Sequence, residues 1–355
     1  YTIEQTQAAD GYALTEENKK PRAFAVTYAG QEVPILYHSE AYEIPRQRPE
    51  IRTEKYDIES KEKLSGAVFG LYTGQNIMAE DQKTILVPKD TLLTCAETRE
   101  GVDEAEEALF DMDLPLGVYY VKEEKAPEGY YRSDKKNMVD ARSFENTLIR
   151  KNYQTVFENR KTMLQVNFMD YDTEVELDGV TFRILDADGN TVSSQVSVHN
   201  GNTWIRGLNI GETYIIEETK VRPGYRMEIL EKENYESPYK KQGYRKDGLF
   251  FDGKECKLLQ CGKNRAKIML TDEESVQYVS LFNQAVFGKL KIEKKGEMPK
   301  TSIVKGKLEQ IAYENKGLPG AEYDISAEEV IAHPDGYSKA LYQAGEKLGH
   351  VITDK

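Results

Sequence analysis

The sequence predicts an all-β chain of tandem Ig-like antiparallel β-sandwich domains, and three observations carry that prediction. A twelve-residue phrase occurs three times, as YTIEQTQAADGY from Tyr1, YYVKEEKAPEGY from Tyr119 and YIIEETKVRPGY from Tyr214. A second phrase also recurs three times: LSGAVFGLY from Leu64, LDGVTFRIL from Leu177 and LPGAEYDI from Leu318. Each reads as an alternating strand entered through a glycine turn. Finally, the 23 tyrosines outnumber the 11 phenylalanines, and Val, Ile, Thr and Tyr recur in short alternating runs, the composition of half-buried sheets.

The order of the two phrases sets the domain boundaries, because the glycine-turn strand precedes the Gly-Tyr phrase in each full repeat. Residues 1–47 are read as the C-terminal part of a repeat, 48–160 as a complete domain, 161–287 as a second complete domain with an insertion at about 226–275, and 288–355 as the N-terminal part of a further repeat. Both ends of the chain are thus expected to fall inside repeats, with any targeting signal outside residues 1–355. Turn dipeptides such as Asp188-Gly189 and Asp252-Gly253 join the short strands by hairpins. The joints between repeats are only a few residues long, which favours a stiff string of domains. The polar run ENYESPYKKQGYRK at 233–246 reads as a surface excursion.

Period-2 alternation then assigns faces. In EIRTEK it puts Ile51, Thr53 and Lys55 together; in YYVKE, Tyr119, Val121 and Glu123; in TVFEN, Thr155, Phe157 and Asn159. Lysine and glutamate are rarely buried unless paired, so both in a core pattern call for an explanation. Read singly, Lys55 would snorkel from a strand end and Glu123 would sit at the solvated rim.

Phrases of the type L-x-G-A-x-F-x-L followed by L-P-x-G-x-Y-x-x-x-E-x-x-A-P-x-G-Y resemble the SpaA-type or Cna B-type prealbumin-like domains of Gram-positive surface proteins and pilins. The resemblance extends over nearly the whole chain and is strongest at LPLGVYYVKEEKAPEGYY, residues 114–131. It implies prealbumin-like sandwiches, many of which form an intramolecular isopeptide bond between a lysine on the first strand and an asparagine on the last, assisted by an acidic residue on a middle strand. Carried over by position, the lysine is Lys55, the assisting acid Glu123 and the asparagine Asn159. In the second complete domain LQVNFMD is expected to bring Asp170 to the place of the lysine, while Glu218 and Asn283 remain on their faces, so no bond is expected unless a lysine of the 226–275 insertion reaches in. The leading segment carries Gln5 at the acid position and Ser39 near the asparagine position and is expected to be inactive. The trailing segment keeps Lys294 on a face with Leu290 and Ile292, with partners that would lie beyond residue 355.

The resemblance further implies an extracellular location on the wall of a Gram-positive bacterium and a structural stalk or adhesin role. No enzymatic activity beyond single-turnover self-crosslinking is expected. Alternatives are a sortase-assembled pilus shaft subunit, although SPYKKQ at 237–242 has the letters of a Tyr-Pro-Lys motif in another order, and a non-catalytic accessory module of a secreted enzyme. Expected partners are the neighbouring repeats and an unidentified host or matrix protein or glycan. The net charge of −13 argues against nucleic acid and anionic membrane surfaces. Three cysteines (Cys95, Cys256, Cys261) form neither a disulfide framework nor a zinc spacing, and four scattered histidines give no metal site. Asp186-Ala-Asp188-Gly189-Asn190 begins like a calcium loop, but Ser197 stands where such a loop needs glutamate, so a hairpin turn is the better reading and no cofactor or metal is expected. Trp204 is read as a core residue of a strand.

Overall fold

A computed structural model describes residues 1–25, 41, 43–79, 81–99, 107–198, 202–237, 243–244, 250–251, 253–273, 275–304 and 307–354. Ser39, Asp252 and part of the 226–275 insertion lie outside the described residues. The chain divides into two compact units. The first is Tyr1–Met163 with the short segments Arg206–Ile210 and Asp272–Ser275; the second holds Leu164–Ile205, Gly211–Thr271 and Val276–Lys355. Every regular element among the described residues is a strand.

The first unit contains a two-sheet sandwich. One sheet orders the closing strand Arg150–Asn159, the opening strand Arg48–Asp57 and Glu107–Leu109; the other orders Lys136–Ala141, the acid-bearing strand Gly117–Lys125, the glycine-turn strand Val68–Thr73 and Leu92–Glu97. Alternation along the opening strand buries Ile51, Thr53, Lys55 and Asp57 and leaves the residues between them partly exposed. The facing strands contribute Phe69, Leu71, Tyr119, Val121, Val139 and Phe157 to one apolar cluster. Apolar burial of this kind is the main driving force of the fold.

Within the first unit the sheets pair antiparallel, as read from the sequence, with one exception. The opening and closing strands run parallel, Lys55 opposite Phe157 and Asp57 opposite Asn159. The chain crosses between the sheets before its last strand and so re-enters the first sheet in its starting direction, a connection that parallel pairs require.

The second unit repeats the plan. Its four-stranded sheet orders Asn202–Arg206, the opening strand Met163–Asp170, the closing strand Gln277–Asn283 and Lys254–Glu255; the five-stranded sheet orders Thr191–Ser197, Thr181–Leu185, the acid-bearing strand Thr213–Lys220, Arg265–Met269 and Lys257–Gly262. Opening and closing strands again pair in parallel, Phe168 opposite Leu281 and Asp170 opposite Asn283. Beyond them lie a long hairpin, Lys295–Val304 with Lys307–Gly317, and a second pair, Glu322–Ser326 with Lys347–Ile352.

Within the run 233–246 read as an excursion Tyr235 packs inward, as do residues of the insertion ahead of it. Ile229 is fully buried, and Leu230 and Tyr235 pack on the outer face of the opening and closing strands against Met169, Tyr278 and Phe282. Lys232 Nζ donates to Tyr171 O at 2.7 Å and lies over the Tyr171 ring. The closing strand is therefore buried on both faces. At Asp188-Gly189 the expected turn forms: Asp186 Oδ1 accepts from the amides of Asp188 and Asn190. Trp204 is half-buried on its strand, and the three cysteines are free thiols.

Three glycine turns keep the same hydrogen bonds. Gly66, Gly179 and Gly320 all have φ near +80° and donate to the carbonyls of Thr98, Val198 and Thr353. A Cβ at Gly66 or Gly179 would meet nothing within 4 Å, so only the left-handed backbone selects glycine there. Gly66→Ala and Gly179→Ala should therefore each cost about 1–2 kcal/mol, measured by denaturant unfolding; a neutral result would refute the backbone explanation.

Candidate functional site

The opening strand delivers Lys55, the acid-bearing strand Glu123 and the closing strand Asn159 to one point between the sheets. The structure brings these three together, buried from bulk solvent: Lys55 and Glu123 are 0% exposed and Asn159 3%. Lys55 Nζ stands 2.9 Å from Glu123 Oε1. Asn159 Nδ2 donates to both carboxylate oxygens, at 2.9 and 3.0 Å. The Ser133 amide donates to Glu123 Oε2 at 2.6 Å and fixes the carboxyl from the other side. The rings of Phe69 and Phe157 flank the amine at 5.7 and 5.6 Å.

Two atoms of this cluster are poorly served. Lys55 Nζ is at ion-pair distance from Glu123, but no acceptor meets it with hydrogen-bond geometry, and buried Asn159 Oδ1 has no donor among the described residues. Buried polar atoms are seldom left so. Burial pushes the Lys55 amine down to about 8, with the Glu123 carboxylate opposing the shift. The neutral, nucleophilic amine is thus much nearer to neutral pH than for a lysine in water.

Main-chain hydrogen bonds identify the equivalent positions in the other repeats. The amide of the leucine that opens each glycine-turn phrase donates to the residue in the lysine place: Leu64 to Lys55 at 2.9 Å, Leu177 to Phe168 at 2.9 Å and Leu318 to Lys294 at 2.8 Å. This corrects the expectation for Asp170. Its place is that of Asp57, opposite the closing asparagine in both sandwiches, and Phe168 fills the lysine site. The motif reading slipped by two residues, a shift that keeps the same face and so leaves the alternation intact.

The two aspartates have a structural role that sequence reasoning missed. Asp57 Oδ1 accepts from the amides of Glu59 and Ser60, and Asp170 Oδ1 from those of Asp172 and Thr173. The tyrosine of each Gly-Tyr phrase donates to the other oxygen, Tyr130 to Asp57 at 2.8 Å and Tyr225 to Asp170 at 2.6 Å. Burial works to raise the Asp57 carboxyl, but these donors prevail and hold it below its ordinary value. A signal was present: an aspartate closes the opening strand of each sandwich, and a tyrosine closes each phrase.

The second sandwich keeps the acid and the amide. Glu218 and Asn283 are both fully buried, and Asn283 Nδ2 donates to Glu218 Oε2 at 3.2 Å and to Glu228 O at 3.1 Å. In the leading segment Gln5 is half-buried, and its amide donates to Gln7 O. Tyr12 pairs with Arg46 as Tyr130 does with Lys161 and Tyr225 with Ala285, so half-buried Ile44, two residues before Arg46, holds the asparagine place. Ser39 lies outside the described residues. Lys294 is exposed, as is Leu290, while Ile292 is half-buried.

Comparison with known proteins bears on this architecture. The family described as SpaA, prealbumin-like fold domain, matches residues 49–152 and 162–243, more than half of the chain. The chain belongs to this family. Among solved structures, the Bacillus anthracis TIE protein is 18% identical with a TM-score of 0.47; the match covers 80% of this chain and 42% of that one, so this chain spans less than half of its length. A streptococcal ancillary pilin is 16% identical with a TM-score of 0.26, covering 68% and 63%. The shaft pilin SpaA of Lactobacillus rhamnosus GG is 13% identical with a TM-score of 0.24, covering 69% and 100%. These likenesses carry nothing about function. No curated protein matches the chain.

Among the described residues Glu218 has no cation beside it, and burial pushes its carboxyl up to about 7, against the bond from Asn283. The unfolded chain releases this proton near 4.5 and the folded chain holds it to about 7, so this contribution is full below about pH 4.5 and is lost as the pH rises to about 7. The loss is about 3 kcal/mol. Glu218→Gln should abolish this decline and stabilise the second sandwich at pH 8, read from amide-exchange protection of residues 277–283 between pH 4 and 8. An unchanged pH dependence would show that the carboxyl is not held protonated.

Proposed function

We propose that this chain is the structural stalk or adhesin region of a cell-wall-anchored bacterial surface protein, acting outside the cell, and that its first sandwich crosslinks itself through an isopeptide bond between Lys55 and Asn159. It is not an enzyme in this reading, since the first sandwich reacts once, on itself. The observation that carries the reading is the buried contact of Lys55, Glu123 and Asn159, joined with membership of the SpaA prealbumin-like family.

The chemistry follows from the positions. Transfer of a proton from Lys55 to Glu123 gives the neutral amine that attacks, a loss that burial makes easier for Lys55. The Lys55 nitrogen attacks Asn159 Cγ once the side-chain amide has turned its unpartnered oxygen toward Glu123, which as the acid polarises it. Glu123 then takes a proton from the incoming nitrogen and passes one to Nδ2. The Nζ–Cγ bond forms, the Cγ–Nδ2 bond breaks and ammonia leaves. The fold supplies the proximity that amide exchange between separate molecules lacks.

The mechanical consequence suits a stalk. Tension entering at Arg48 runs along the opening strand to Lys55, crosses to Asn159 and leaves the domain, so the strands between carry none of it. The crosslink closes a loop of about 100 residues, worth about 4–5 kcal/mol in the chain-entropy picture.

Intact mass spectrometry of the full chain, with Lys55→Met and Glu123→Gln beside it, tests the bond. The parent should be lighter than its sequence by one ammonia, and both variants should have their full sequence mass. Lys55→Met should also unfold at lower denaturant concentration, by about 4–5 kcal/mol for the first sandwich. A parent at full mass would sink the proposal.

A further inference from the structure

The second sandwich holds a buried acid and amide that the proposed function leaves idle. Glu218 Oε1 and Asn283 Oδ1 are both buried, and neither has a hydrogen-bond partner among the described residues. In the first sandwich the corresponding carboxyl oxygen faces the amine. The walls correspond as well: Phe69 is opposite Glu123 and Phe182 opposite Glu218 in the facing sheet. Phe168 packs its ring 5.6 Å from that of Phe182, much as Lys55 lies against Phe69. The residue across the parallel pair changes in compensation, Phe157 beside Lys55 and Leu281 beside Phe168.

From this we infer that the second sandwich carries the acid–amide half of a crosslinking site, lacking among the described residues only the amine, and that Phe168, in the amine's place, keeps it from reacting. The inference rests on the reading of the first sandwich as self-crosslinking. A lysine at 168 would place its nitrogen beside Glu218 and Asn283, bond to Asn283 Cγ and release Nδ2 as ammonia, with Glu218 carrying the proton. A carboxyl that burial keeps protonated near neutral pH is already in the form this step uses. Phe168 is thus the determinant that makes one sandwich crosslinked and the other held by non-covalent contacts alone.

The test is intact mass and peptide mapping of the full chain carrying Phe168→Lys, and of Phe168→Lys with Leu281→Phe, which rebuilds the Lys55–Phe157 pairing should the single change pack poorly. At least one of these should be one ammonia lighter than the parent is relative to its own sequence, with a linked peptide joining residue 168 to Asn283. Adding Glu218→Gln should restore that ammonia. Folding is read from exchange protection of residues 277–283. Folded variants that keep their ammonia overturn the inference, and so does failure of both to fold, because the claim is that this pocket accepts the amine. The peptide linking Lys55 to Asn159 reports on the first sandwich separately. Its presence without a 168–283 link leaves the first reading standing and this one overturned; a 168–283 link without it does the reverse.

Discussion

An amine buried with a single carboxyl in the core of the first sandwich is the constraint around which the rest is arranged. Removing a lysine and a glutamate from water costs several kcal/mol each, and their attraction offsets this only when the geometry is good and the remaining polar atoms are served. Here Glu123 is well served, by Asn159 and the Ser133 amide, whereas Lys55 is not. A buried ion pair of this kind is weak evidence of stability. Conversion to an amide would remove the cation and discharge ammonia. The arrangement makes better sense as a reactant than as a finished interaction.

Geometry follows from the parallel pair. Because opening and closing strands run in the same direction, residues on one face of each lie side by side, and Lys55 and Asn159 are offset by one pleat repeat. The acid-bearing strand of the facing sheet closes over them. The same frame holds in the second sandwich with phenylalanine in the lysine place, an apolar answer to the same packing problem. What both sandwiches retain is the aspartate at the strand end, gripped by two amides and a tyrosine hydroxyl. That lock belongs to the fold and does not depend on the lysine, since it persists where phenylalanine takes the lysine's place.

Much of this was legible in the sequence. Repeated phrases fixed the strands and turns because glycine is the residue that tolerates φ near +80°. Alternation placed Lys55, Glu123 and Asn159 on inward faces because the strand period is two. The same period hid the error at Asp170: a slip of two residues preserves the face, and only a long-range main-chain bond, Leu177 to Phe168, distinguishes the registers. Counting nine residues back from the leucine would have found it in both sandwiches; in the trailing segment the hairpin 295–317 intervenes before Lys294. The parallel pairing was not legible, because strand direction depends on how the chain crosses between sheets. Nor was the packing of Leu230 and Tyr235, whose polar neighbours in the insertion read as surface.

That packing supplies the last link between the two sandwiches. In the first, the outward positions of the closing strand face solvent, with Val156 49% exposed. In the second, Phe282 and Met169 are covered on that side by Tyr171, Leu230 and Tyr235. Burying such side chains contributes about 1.5–3 kcal/mol each, so two of them match in magnitude what a crosslink over about 100 residues would add. The two means differ in how they fail. Apolar burial is lost progressively as a strand peels away and is regained when it returns, whereas a covalent link holds until a bond breaks. Were the proposed bond to tie one closing strand, with a second apolar layer holding the next, neighbouring repeats would have comparable resting stability and very different responses to load.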